Sequence, residues 1–139
     1  MQVSNSIALY NCQPVSIKQI PVIDINKFRD SIIEASASGN RIASMFAVPA
    51  GTNTFTIYAV LADDNAGKLY ALSSRVSDSF PSLTPDCTQA HLFEREIAEQ
   101  WGIKPENHPW LKPVRFHTNY SKNRDVWNRN KNEQITPSV

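Results

Sequence analysis

The sequence predicts an α+β fold. It is a two-layer sandwich with a mostly antiparallel sheet, a meander of three or more strands, two main helices on one face and an extended C-terminal arm. Three observations predict it. Strand-like segments at 41–48, 52–62 and 68–76 follow one another with only turn signals between them. An amphipathic stretch with helical spacing flanks this group on each side. Beyond Gly102, Pro105, Pro109 and Pro113 keep a helix from restarting and stiffen the chain.

In order, residues 1–23 are mostly polar, and Pro14 and Pro21 discourage regular structure; 15–22 is read as an edge strand that Pro21 limits. Asp24 is the cap of a first helix, Ile25, Phe28, Ile32 and Ala35 mark its buried face, and Gly39-Asn40 ends it. In the first long strand Ile42, Phe46 and Val48 are assigned to one side. In the second, Phe55, Ile57, Ala59 and Leu61 share a face while Tyr58 and Val60 point away. In the third, Leu69 and Ala71 oppose Tyr70 and Leu72. Pro49-Ala50-Gly51 and residues 63–67 form the turns.

A second helix is expected over 87–101, about 22 Å long at about 1.5 Å per residue. Thr84 or Asp86 would cap it, and Gly102 would close it in the left-handed conformation. Ala90, Phe93, Ile97 and Trp101 form its apolar stripe, and Glu94, Arg95, Glu96 and Glu99 its polar face. Trp101 should pack on the sheet, where truncation to alanine would cost about 3–5 kcal/mol. The resulting organisation is an N-terminal extension or edge strand over 1–23, a domain over 24–117, and a polar tail over 118–139 expected to be extended or disordered.

A chain of 139 residues suits a single core. Its 41% hydrophobic and 19% charged residues are those of an ordinary globular protein. No apolar run approaches the roughly 20 residues that a membrane helix needs, and the N-terminus has no basic start followed by an apolar block. Cytoplasmic residence without direct membrane insertion is the expectation. Cys12 and Cys87 are 75 positions apart, which leaves no CxxC metal motif and favours buried or half-buried free thiols. The net charge of +1 divides unevenly: −3 over residues 1–103 and +4 over residues 104–139, where Trp110, Phe116, Tyr120 and Trp127 are interleaved with the cations.

Most candidate chemistry fails on spacing. Glu94 and Glu96 diverge by about 200° on a helix, so they cannot face one substrate as an acid–base pair. His91, His108 and His117 include no pair at helical ligand spacing, and His108-Pro109 reads as a turn whose imidazole bonds backbone. The four glycines build no phosphate loop. The charged helix face is either solvated, with an Arg95–Glu99 pair worth about 0.3–0.5 kcal/mol, or directed at a partner protein. The basic arm could bind nucleic acid or another anion as a stand-alone module, but its cations are sparse and no nucleic-acid motif accompanies them. Otherwise it is a docking arm with Trp110 and Trp127 as anchors.

Glu94-Arg95-Glu96, Glu99, Gly102-Ile103, His108-Pro109 and Lys112 together resemble the motif of the complex I 30 kDa family. That family comprises the 30 kDa subunit of NADH:quinone oxidoreductase and the related N-terminal domain of the large subunit (component G) of energy-converting nickel–iron hydrogenases, including formate hydrogenlyase. The run from Pro109 through Lys112 and Arg115 to His117 looks more like the hydrogenase branch. Gln100 and Arg115 depart from the respiratory subunits, which have an apolar residue at the first place and an apolar or small one at the second. The resemblance implies a non-catalytic assembly domain with no cofactor or metal of its own and no nucleic-acid partner. It would dock the large catalytic subunit, which carries the quinone or nickel–iron site, and the iron–sulfur subunit, at the periphery of the inner membrane. Glu94, Arg95, Glu96, Glu99, Gly102, His108, Pro109 and Lys112 would form the motif and interface. The chain ends before the further segment of respiratory subunits or the catalytic region of hydrogenase large subunits. It therefore reads as a stand-alone small subunit or an excised N-terminal domain.

Overall fold

The computed structural model describes residues 2–116, 118–121 and 123–129. Three long strands, β3 (Arg41–Gly51), β4 (Thr54–Asp63) and β5 (Lys68–Val76), pair antiparallel as the expected meander. Two short strands, β1 (Ile7–Leu9) and β2 (Val22–Ile23), share the outer edge of β5, the first antiparallel and the second parallel to it. The edge strand expected at 15–22 is therefore displaced to its two sides. Ser16 instead nucleates a 3-10 turn over Ile17–Gln19, in which its hydroxyl and the Gln19 side chain bond each other's backbone as a capping box.

Helix α1 (Ile25–Ala37) starts where Asp24 Oδ1 accepts the amides of Asn26 (2.9 Å) and Lys27 (3.4 Å). It buries Phe28, Ile32 and Ala35, as the spacing predicts. Helix α2 (His91–Trp101) lies on the same side of the sheet, and a 3-10 turn over Thr88–Ala90 leads into it. Gln89 in that turn ties the layers together: its carbonyl accepts the Ile42 amide (2.9 Å) and its amide donates to Ser36 Oγ (2.8 Å). Between the layers are Phe55, Ile57, Ala59 and Leu61 of β4 with Tyr70 and Leu72 of β5. A second, two-stranded sheet pairs β6 (Ser79–Pro81) parallel with β7 (Lys104–Glu106), bracketing the ends of α2.

One face assignment is corrected. A β-bulge shifts the β3 register between Ile42 and Ser44, so the two-residue alternation changes phase there. Ile42 points inward as expected, but Met45 and Ala47 follow it into the core while Phe46 faces out and stacks on its cross-strand neighbour Tyr58, 5.6 Å between centroids. Part of the segment read as a polar tail makes contacts with the fold. The Tyr120 amide donates to the Gln100 carbonyl (2.8 Å), and Arg124 donates to the Ser77 carbonyl (2.9 Å), pairs with Asp78 (3.2 Å) and covers the Phe55 ring. Residues 118–121 and 123–129 thus form a strap across the end of α2, because their polar side chains find specific partners there. The remainder of the expected tail, 130–139, lies outside the described residues, as do His117 and Lys122. Cys87 is buried, whereas Cys12 is exposed and not half-buried as expected; both are free.

Candidate functional site

Helix α2 carries the densest charge in the fold, yet most of it is turned inward. Glu94 is 0%, Glu99 1% and Arg95 7% exposed. The outward-facing polar stripe expected from the spacing holds only for Glu96; the other three are enclosed by the chain's own loops. Each has a distinct backbone to satisfy.

Glu94 reaches back to the loop that precedes the helix. Its carboxylate accepts the Leu83 amide (2.6 Å), the Ser82 hydroxyl (2.7 Å), the Thr84 amide (3.3 Å) and the Thr84 hydroxyl. Thr84 is therefore not the helix cap that its position suggested; the N-cap of α2 is Ala90, with no side-chain cap bond. The same loop is held from two other directions. Arg29 of α1 donates to the Ser82 carbonyl (3.0 Å) and contacts Asp86, and the Ser82 amide bonds the Glu106 carbonyl of β7 (3.0 Å). Charge-assisted bonds of this kind offset the desolvation of a buried carboxylate.

Arg95 and Glu99, one turn apart, face the arm together. The arm cannot join a ladder of its own, because Pro109 and Pro113 have no amide hydrogen to donate. The helix side chains take the place of a strand. Arg95 donates to the carbonyls of Lys112 (2.7 Å) and Pro113 (2.9 Å), and Glu99 accepts the amides of Val114 (2.8 Å) and Arg115 (2.9 Å). A cation meets the acceptors and an anion meets the donors of four consecutive residues. The third guanidinium nitrogen of Arg95 lies 3.3 Å from His91 Nε2, so its partners are the arm and His91 rather than the expected Glu99.

The turn between helix and arm has its own requirements. Gly102 closes α2 at φ 65°, and a Cβ there would lie 2.7 Å from Arg124 Cβ, so conformation and space both demand glycine. Asn107, with φ 63°, leads into His108. The His108 side chain is fully enclosed. Its Nδ1 accepts the Trp110 amide (3.1 Å), which leaves the proton on Nε2, facing the His91 carbonyl (3.3 Å) and 3.9 Å from Glu94. This is the backbone-bonding turn expected of His108-Pro109. Burial holds the imidazole below the ordinary histidine range, against the attraction of Glu94.

On the surface above this interior, Trp110 stacks on His91 (5.9 Å) under Arg95 (4.7 Å) and Lys112 (5.3 Å). Glu96 pairs with Arg115 (2.6 Å) and accepts from Gln100 (3.4 Å). The two departures from the respiratory pattern, Gln100 and Arg115, thus meet at one motif residue. Sequence reasoning missed Ser82, Leu83 and Thr84 as partners of the motif; the pair of hydroxyls in Ser82-Leu83-Thr84 ahead of a helix was the available signal.

The described motif residues are engaged with one another and with the backbone. Glu94 and Glu96 face opposite ways, the first into the interior and the second toward Arg115. His91 and His108 do meet, 5.7 Å between ring centroids, but among the described residues no group of three or more His, Cys, Asp or Glu side chains is placed to hold a metal ion. An open cleft of about 280 Å³ lies elsewhere, between the end of α1 and the β4–β5 turn, lined by Ser38, Gly39, Asn40, Asp63, Asn65 and Ala66. Among the described residues no helix is long and apolar enough to cross a membrane.

A family model described as respiratory-chain NADH dehydrogenase, 30 Kd subunit, matches residues 25–125. Comparison with curated proteins finds no match. The matched span includes both helices, all three long strands, the motif and most of the strap, and the chain belongs to this family. Its members are peripheral subunits of a multi-subunit respiratory complex of the NADH dehydrogenase type.

Proposed function

We propose that this member of the complex I 30 kDa family is a non-catalytic assembly domain, docking the large catalytic subunit and the iron–sulfur subunit of its electron-transfer complex. The observation that carries this reading is the fate of the motif charges. Glu94, Arg95 and Glu99 are bonded to the chain's own backbone, which fixes the course of the arm and gives these three side chains an architectural role. The motif sets the shape of a surface, and residues 109–115 with the exposed flank of α2 are that surface. The domain proposed over 24–117 is joined by β1 and β2 at the edge of β5 and by the strap across the end of α2.

Among the branches of the family, we favour the energy-converting hydrogenase type. The contacts of Glu96 with both Arg115 and Gln100 support it, since they make the two departures from the respiratory pattern one linked change. The basic arm gives little support to a nucleic-acid role. Lys104 pairs with Glu106, Arg115 with Glu96, Arg124 with Asp78 and Arg129 with Asp125, so these cations already have carboxylate partners.

The test is co-expression of the full chain with the large and iron–sulfur subunits, followed by affinity isolation and measurement of the electron-transfer activity of the recovered complex. Recovery of both subunits on the tagged chain is the expected outcome. If neither is recovered while the chain is folded, the assembly reading is wrong.

A further inference from the structure

We infer that Trp110, Lys112 and Leu92 form a pre-ordered docking platform for a partner protein surface that offers an apolar pocket rimmed by carboxylates. The inference rests on the assembly reading and specifies the contact.

Trp110 is 52% exposed, an unusual state for a large aromatic residue held so firmly. Its backbone amide is bonded to His108 Nδ1 at 3.1 Å, and its ring lies nearly parallel to that of His91, with an interplanar angle of 11°. Arg95 and Lys112 bracket the indole at 4.7 and 5.3 Å from its centroid. The ring is fixed by the chain before any partner arrives. Ordering it costs binding little, and burial of its free half goes to affinity. Leu92, one position along α2 from the stacked His91, is a second large apolar side chain left exposed, at 55%. Trp127 provides the contrast. Its indole nitrogen donates to the Leu111 carbonyl (3.1 Å) and its ring is covered by Arg129, so it braces the arm from within and is not the docking anchor that the sequence suggested.

Charge identifies the occupant. Lys112 is the one described cation beyond residue 103 with no carboxylate in ion-pair reach. Arg95, on the same ring, bonds two carbonyls and an imidazole, all neutral acceptors. One exposed cation without a carboxylate partner, Lys112, therefore lies against a half-exposed indole whose other cation, Arg95, is already enclosed by the chain. A purely apolar partner would bury Lys112 unpaired, which is strongly unfavourable. A polyphosphate surface would ask for several free cations, whereas Lys112 alone faces solvent. A protein pocket for the indole, with carboxylate at its rim, satisfies both features.

The experiment titrates the purified full chain with the purified large subunit and, separately, the iron–sulfur subunit, using calorimetry. It compares wild type with Trp110→Ala and Lys112→Glu. The Lys112 side chain is exposed and only its carbonyl takes part in the Arg95 contact, so Lys112→Glu keeps the fold and decides the matter even if Trp110→Ala unfolds. Expected are a loss of about 30-fold for Trp110→Ala, as for a hot-spot tryptophan, a loss of about tenfold or more for Lys112→Glu, and weakening of wild-type binding by salt. If the wild type binds a subunit and either folded variant binds within about twofold of it, the platform is overturned while the assembly reading stands. If the wild type binds neither subunit, the assembly reading itself fails.

Discussion

A carboxylate as enclosed as that of Glu94 is tolerated because two amides and two hydroxyls converge on it. Removing it would strand the Leu83 amide and the two hydroxyls in the interior, at about 1–3 kcal/mol for each unsatisfied group before relaxation, while the Thr84 amide keeps Ser82 Oγ at 3.2 Å. Glu94→Ala should therefore lose about 3–5 kcal/mol in denaturant unfolding, the range for a broken buried polar cluster. Glu94→Gln should fall between, since its amide turns a donor toward donors. Ser82→Ala, which removes one hydroxyl, should cost only about 1 kcal/mol. His108 lies against the same carboxylate and gives the site a pH dependence. Burial depresses its affinity for a proton in the folded chain, so the unfolded chain binds that proton more readily. The contribution is fully present above the unfolded value of about 6.5 and is lost as pH falls below it through the depressed folded value. Denaturant midpoints should drop between pH 7.5 and 5.5, and His108→Asn should remove the part of that drop belonging to this ring.

Among the elements, legibility followed the range of the interaction that decides each one. Helix α1 was readable from Asp24 to Gly39 because its cap and apolar spacing are local. The face of β4 was readable for the same reason. The phase of β3 was not: a bulge after Ile42 depends on the register with β4, and no residue within 41–48 announces it. At the candidate site the right residues were legible but not their direction. Spacing places Glu94, Arg95 and Glu99 on the polar side of α2, and only the return of the arm and of residues 82–84 turns that side into an interior. The strap was illegible because its anchors are single side chains, such as Arg124, reaching residues distant in sequence. Its docking is also less complete than that of the arm. Trp101 Nε1, Asn119 Nδ2, Arg124 Nε and Arg129 Nη1 are buried without a hydrogen-bond partner, all in or beneath the strap. Each such donor weakens the seat. Native-state hydrogen exchange should show the Tyr120 amide, bonded to Gln100, opening at a lower free energy than the Val114 and Arg115 amides held by Glu99. Equal protection would mean that strap and arm open as one unit.

On the proposed function, folding and assembly of the whole molecule draw on different members of one motif, and charge reversal can separate them. Arg95 is 7% exposed and holds two arm carbonyls. Arg95→Glu would place a third acid beside Glu94 and Glu99 and break the arm contact. It should lower stability by about 3 kcal/mol or more and weaken assembly with it. That differs from a purely external arginine, whose reversal would leave stability within about 1 kcal/mol. Glu96 and Arg115 form the opposite case. The pair is at the surface, with side chains 25% and 58% exposed, and such pairs contribute about 0–1 kcal/mol. Exchanging the two charges, Glu96→Lys with Arg115→Glu, keeps an ion pair across the same gap while reversing the pattern a partner would meet. Unfolding of the double variant should stay within about 1 kcal/mol of wild type, whereas its recovery with the large and iron–sulfur subunits should fall. Unchanged recovery would confine Glu96 to internal architecture and leave the platform of Trp110 and Lys112 to carry the contact alone.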